Sequence, residues 1–262
     1  MNKYILLSFD IEEFDITEEY GQKLDNKTKL NVSALGTRKI LALLDKLKIN
    51  ATFFITGYFA LKSIALIKDI SKKHEIASHG FKHSSFSSKD LIKSRKVLKK
   101  ITGQEITGFR MARLKKVNYD EINKAGYKYS SSINPTFIPG RYNNLNKKRT
   151  PYFSEKIIEI PVSVTPLLRF PLFWLSFKNF PLWFIKIASL ITLKKDSYIN
   201  IYFHPWEFVN LSNYTLPSYI KNPSDILMIK KLNNYLIWLK GKGKFITINE
   251  FRKIKYKYSH RP

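Results

Sequence analysis

The sequence predicts an α/β fold built on a parallel sheet, and three observations carry that expectation. Short apolar runs rich in β-branched and aromatic residues alternate with helical patterns along the chain. Its 262 residues, 44% of them hydrophobic, can bury one full core. No internal repeat or low-complexity linker interrupts the alternation, so residues 1–262 read as a single domain.

The elements follow in order. "YILLSF" (4–9) is a strand. "SALGTRKILALLDKLK" (33–48) is a helix, with Ser33 as its cap and Leu35, Leu43, Leu44 and Leu47 at helical spacing. "ATFFIT" (51–56) is a strand, followed by a helix near 59–73. "EIAS" (75–78) is a short strand, Ser88 to about Ile101 a helix, and "ITGFR" (106–110) a strand. Asn118 can cap and Gly126 can end the next helix, before the strand "YKYSSS". "IIEIPVS" (157–163), "SYINIYF" (197–203) and "KFITI" (244–248) bring the total to about seven or eight strands, with a helix near 223–240. Such a sheet is either open or closed into a barrel.

Two segments break the rhythm. Residues 134–154 are rich in Pro, Asn and Gly and predict a long surface loop, of the kind that often carries function. Residues 167–193 are aromatic and apolar, but Arg169, Lys178, Lys186, Pro171 and Pro181 divide them into pieces shorter than the ~20 residues of a membrane span. Two short core-packed helices are one reading; an element lying on a membrane surface, with Trp174 and Trp183 at headgroup level, is the other.

Composition narrows the chemistry. Without cysteine, any metal must be held by His, Asp or Glu. The net charge of +26 is spread along the chain without a dedicated basic arm, so no nucleic-acid partner is expected. The N-terminal apolar run is too short for a signal peptide and meets Asp10 at once. The expected location is therefore cytoplasmic.

The polar residues at strand ends carry the functional signal. In "LSFDIEEFD" the strand runs into carboxylates, and extended backbone would project Asp10 and Glu12 from one face. "SHGFKH" places His79 and His83 after the next-but-one strand, Arg110 closes "ITGFR", and His204 closes "INIYF". In parallel α/β folds the carboxyl ends of strands are where sites are built. Two imidazoles and one carboxylate can hold a catalytic metal, with either Glu12 or Asp10 as the acid.

These segments, with "TFFITGYFA", "KYSSSINPT" and "YFHPWEF", resemble the polysaccharide deacetylases with a NodB homology domain, carbohydrate esterase family 4, in the branch whose first motif reads Asp-x-Glu. The resemblance runs from about residue 4 to 210. It implies a distorted (β/α) barrel of about seven parallel strands and a divalent metal, most often Zn2+. It further implies removal of the acetyl group from an N-acetylated sugar. Asp10 matches the catalytic base, Arg110 the arginine that orients it, and His204 the general acid; Glu12, His79 and His83 match the metal ligands. The third motif departs from the pattern, since Ala112 stands where the family carries proline. The implied partner is an N-acetylated glycan or lipid-linked sugar of the cell envelope, and the basic, aromatic character of residues 167–193 adds an expected peripheral contact with an anionic inner membrane face. Two alternatives are a metal-free cyclic-amide hydrolase of the same fold, as in allantoinases, and a noncatalytic carbohydrate or nucleic-acid binding module.

Overall fold

A computed structural model describes residues 2–116 and 118–256. The chain begins with β1 (Tyr4–Ile11), buried along its whole length, and α1 (Asn26–Leu47). Then come β2 (Thr52–Ile55), α2 (Gly57–Lys62), α3 (Ile64–Ser71), β3 (Glu75–Ser78), α4 (Ser88–Thr102), β4 (Gly108–Phe109), α5 (Tyr119–Lys124) and β5 (Tyr129–Ser130). The second half holds β6 (Phe137–Ile138), β7 (Tyr142–Asn143), β8 (Tyr152–Ser154), β9 (Ile157–Glu159), α6 (Trp174–Asn179), α7 (Leu182–Asp196) and β10 (Tyr198–Phe203). It ends with α8 (Ser218–Lys221), α9 (Asp225–Lys240), β11 (Lys244–Phe245) and α10 (Ile248–Tyr256).

The main sheet runs β10-β1-β2-β3-β4-β5-β9-β8, with β11 pairing β1. The neighbours from β10 to β9 are parallel and β8 returns antiparallel, so the fold is the expected single-domain α/β arrangement, curled into a half-barrel. Among the described residues no ladder joins β9 to β10. Instead the buried Asn200 of β10 spans the seam: its Nδ2 donates to the carbonyls of Ile160 (3.1 Å) and Pro161 (3.0 Å), and its carbonyl accepts from Ser163 N–H at 2.9 Å. Side-chain bonds thus satisfy backbone groups that a continuous ladder would otherwise pair.

Several boundaries differ from the sequence expectation. Helix α1 starts seven residues before Ser33, because the Asp25 carboxylate accepts from both the backbone N–H (2.9 Å) and the hydroxyl (2.8 Å) of Thr28. Its buried face is Val32, Gly36, Ile40, Leu43, Leu44 and Leu47, while Leu35 faces solvent. The helix expected over 59–73 divides at Ser63 into α2 and α3. Residues 134–154 are not wholly loop, for β6 and β7 form an antiparallel hairpin and β8 joins the main sheet.

In residues 167–193 both readings meet corrections. Trp174 is buried, and Lys178 is buried with Nζ donating to the Pro223 carbonyl at 2.6 Å, so neither reaches a membrane surface. Trp183 is 61% exposed, so α7 is not wholly core-packed either. Among the described residues no helix is long and apolar enough to cross a membrane.

His74, at the start of β3, stays out of the site. Its Nδ1 accepts from the Ala51 N–H at 3.3 Å and its ring packs on Phe53. Burial pushes its pKa down to about 4 from 6.5. Because the folded pKa lies below the unfolded one, the neutral ring's contribution is complete above pH ~6.5 and fades as pH falls toward 4, by on the order of 3 kcal/mol. The stability difference between the wild type and His74→Asn, from urea unfolding across this range, should shrink by that order as pH is lowered.

Candidate metal centre and active site

Sheet register explains how distant residues meet. Phe9 lies beside Phe203 and Ser78 beside Phe109, so the residues that follow them, Asp10 with His204 and His79 with Arg110, leave the same end of the sheet. Gly80, at φ 81°, makes the turn after His79 that an L side chain rarely adopts, and the chain comes back to deliver His83.

Glu12, His79 and His83 bring one ligand atom each to within 4.8 Å of one another. His79 Nδ1 donates to the Arg110 carbonyl at 2.9 Å, and His83 Nδ1 donates to Asp15 Oδ1 at 2.6 Å. With Nδ1 engaged in each ring, both Nε2 atoms face Glu12 Oε2, at 3.1 and 3.0 Å. The other Glu12 oxygen accepts from the Trp206 indole N–H at 3.3 Å.

Three electron-pair donors converging on one point call for a cation between them. Burial opposes charge on Glu12, yet the imidazoles of His83, His204 and His79 outweigh it and hold the carboxyl well below its usual range. Burial likewise opposes charge on His83, yet the Glu12 and Asp15 carboxylates push it up to about 9. The donor set therefore fits a divalent metal. The two distances from Glu12 to the imidazoles, 3.1 and 3.0 Å, are near the roughly 3.3 Å between ligand atoms of a tetrahedral zinc site. Asp10 is not a fourth member. Of the two acids the sequence left open, Glu12 is the one that faces the histidines.

Asp10 belongs to a second network. Arg110, with no exposed surface, donates Nη1 to Asp10 Oδ1 (2.7 Å) and to Ser8 Oγ (3.0 Å), Nε to the Ser131 carbonyl (2.8 Å), and Nη2 to Ser131 Oγ (2.9 Å). Its guanidinium lies between the rings of Phe54 and Tyr202. Ser131 Oγ in turn accepts from Asn200 Nδ2 at 3.1 Å, tying this network to the barrel seam.

His204 faces the pocket from the opposite side. Its backbone N–H donates to Glu207 Oε1 at 2.7 Å, its ring stacks on Trp206, and Trp174 meets it edge-on. Burial lowers its pKa, but Glu12, Glu207 and Asp10 together raise it above the ordinary value. The turn that follows, Pro205–Phe208, packs on α1 so closely that a Cβ at Gly36 would lie 1.9 Å from the Pro205 carbonyl oxygen.

These six residues, Asp10, Glu12, His79, His83, Arg110 and His204, thus gather at one site, five lining or facing one cleft and Arg110 buried behind it. The far wall of the cleft comes from the hairpin (Ile138, Arg141, Tyr142) and from α6 (Trp174, Leu175). Where Ala112 replaces the family proline, Arg113 and Leu114 take left-handed backbone (φ 58° and 49°), and Arg113 reaches the rim to pair with Glu19. Sequence reasoning missed Asp15, Ser131, Asn200 and Trp206; Asp15, Ser131 and Trp206 lie inside quoted motifs without being singled out there, and Asn200 carried no signal.

Comparison with known proteins agrees with this geometry. Residues 2–130 match the family model described as polysaccharide deacetylase. A search of curated proteins finds no match. Among solved structures, a Mycobacterium smegmatis protein assigned as a polysaccharide deacetylase superposes with a TM-score of 0.67 at 15% identity, covering 100% of this chain and 93% of that one. The PuuE allantoinase gives 0.68 at 13% identity, covering 97% and 91%. A Bacillus anthracis pseudoenzyme of carbohydrate esterase family 4 gives 0.52 at 15% identity, covering 95% of this chain and 65% of its own.

Three substitutions test the centre. His79→Ala or His83→Ala should abolish stoichiometric metal in the purified protein, and Asp15→Ala should weaken affinity by about 10–100-fold by releasing the His83 ring, as read by metal titration. Over residues 2–130 the chain matches the polysaccharide deacetylase family, on a fold shared with solved deacetylases.

Proposed function

We propose that the protein is a metal-dependent deacetylase that hydrolyses the acetamide of an N-acetylated sugar in a cell-envelope glycan or its lipid-linked precursor. The observation that supports this reading best is the convergence of His79 and His83 Nε2 on Glu12, beside an Arg110-held Asp10 and a facing His204. The fold alone does not choose, since an allantoinase and a pseudoenzyme share it. The donor set supports the metal-dependent reading, since two imidazole nitrogens turned on one carboxylate suit a divalent cation.

A divalent cation, most simply Zn2+, held by Glu12, His79 and His83 would polarise the acetamide carbonyl and acidify a bound water. Asp10 accepts the proton of the attacking water, and Arg110 holds its carboxylate in place. Water oxygen bonds to the carbonyl carbon, the C–N bond breaks, and His204, whose surroundings favour its protonated form, gives a proton to the departing amine. Trp174, Trp206 and Tyr202 wall the cleft and exclude bulk water. The products are acetate and an amino sugar.

Asp10→Asn should keep the metal and lose ~10²–10⁴-fold in turnover, whereas Glu12→Ala should lose metal and activity together. Acetate release and metal content measured on the same preparations decide; an Asp10→Asn protein without metal would exchange the two assignments.

A further inference from the structure

The outer face of α7 is apolar where a surface helix should be polar. Trp183, Ile187, Leu190 and Ile191 recur at helical spacing and are 61%, 49%, 40% and 50% exposed, while the opposite face, Ile185, Ala188, Ser189 and Thr192, packs inward. A second projection stands beside it: Leu167 and Leu168, at the tip of the turn between Thr165 and Phe170, are 92% and 89% exposed. Ring contacts make the two one surface, running from Phe170 to Phe180 and Phe184 (4.9 and 5.0 Å) and from Phe184 to Trp183 (5.8 Å).

This surface is rimmed by cations. Lys194 and Lys195 close the apolar stripe at its carboxyl end, both exposed. At the other end Arg169 donates to the Lys147 carbonyl at 2.9 Å, which sets exposed Lys147 and Lys148 beside the leucine tip. Exposed apolar area of this extent marks an interaction surface. A second copy of the chain is a poor occupant, because two bodies of net charge +26 would meet basic rim to basic rim. An anionic bilayer complements both features: acyl chains accept the leucines and isoleucines, headgroups accept the tryptophan, and lipid phosphates meet the lysines.

We propose that α7 and the 165–170 turn form a docking surface for an anionic membrane. The assignment differs from the sequence expectation in its residues, since Trp174 and Lys178 are turned inward and Leu167, Leu168, Ile187, Leu190 and Ile191 take their place. Arg169 also donates to the Pro135 carbonyl, so the tip leans on the segment whose hairpin lines the cleft, and docking brings the cleft to the bilayer surface. A saccharide carried on a lipid would be presented there. Binding to lipid does not depend on the deacetylase chemistry.

The test is co-sedimentation of the full-length protein with phosphatidylglycerol-containing vesicles and with pure phosphatidylcholine vesicles, at low and high salt. The protein should bind the anionic vesicles at low salt and weaken roughly tenfold or more at high salt or on neutral lipid. Trp183→Ser with Leu168→Ser should lose most of the binding while keeping wild-type circular dichroism and acetate release from a soluble N-acetylated glycan, as both side chains lie outside the cleft. Absence of binding to anionic vesicles, or binding unchanged in that variant, overturns the proposal. So does a dimer in sedimentation velocity that the same variant dissolves. Loss of acetate release alone would count against the chemistry and leave the docking surface standing.

Discussion

A guanidinium with no exposure to solvent organises this molecule. Removing Arg110 from water is expensive, and the structure offsets that cost by bonding each edge of its planar fork: the Asp10 carboxylate and Ser8 on one side, Ser131 by carbonyl and hydroxyl on the other, aromatic rings above and below. Through Ser131 the network continues to Asn200, and Asn200 holds the seam that no β ladder closes. Barrel closure and the aim of Asp10 therefore rest on one set of buried bonds. A lysine could not substitute, having one point charge where the site uses a planar fork.

The backbone side of the same residue serves the Glu12–His79–His83 cluster. Its carbonyl accepts the proton of His79 Nδ1 and so decides which nitrogen of that ring is free. The two clusters share a single residue: the side chain of Arg110 supports Asp10, and its main chain sets the tautomer of His79. Displacing β4 would disturb both at once, which fits its being flanked by pairing strands on each side.

The sequence shows the ends of strands well and the spaces between them poorly. Asp10, Glu12, His79, Arg110 and His204 were legible because each terminates an apolar run, and in a parallel sheet one end collects all such residues. His83 was legible from its spacing after Gly80. Asp15 was not, because one acid among four in "DIEEFD" looks like its neighbours until His83 Nδ1 is found against it. Asn200 was hidden for the opposite reason: a polar residue inside "YINIYF" suggests a solvent-facing position, whereas it fills a gap between strands far apart in sequence. Residues 167–193 misled in part because composition gives a segment's total hydrophobicity without saying which face turns inward, so Trp174 and Trp183, nine residues apart in one aromatic run, have opposite fates.

Gly36 sits mid-helix on α1, which contributes no side chain to the cleft, yet the helix backbone rests against Pro205, the residue after His204. The absent side chain is in effect a spacer that sets how far the His204-bearing turn stands from the barrel wall. A methyl group there would have to displace either the helix or the turn. A genetic screen for inactive forms would accordingly return position 36 together with the residues of the cleft, as a lesion whose cause lies in thickness and not in chemistry.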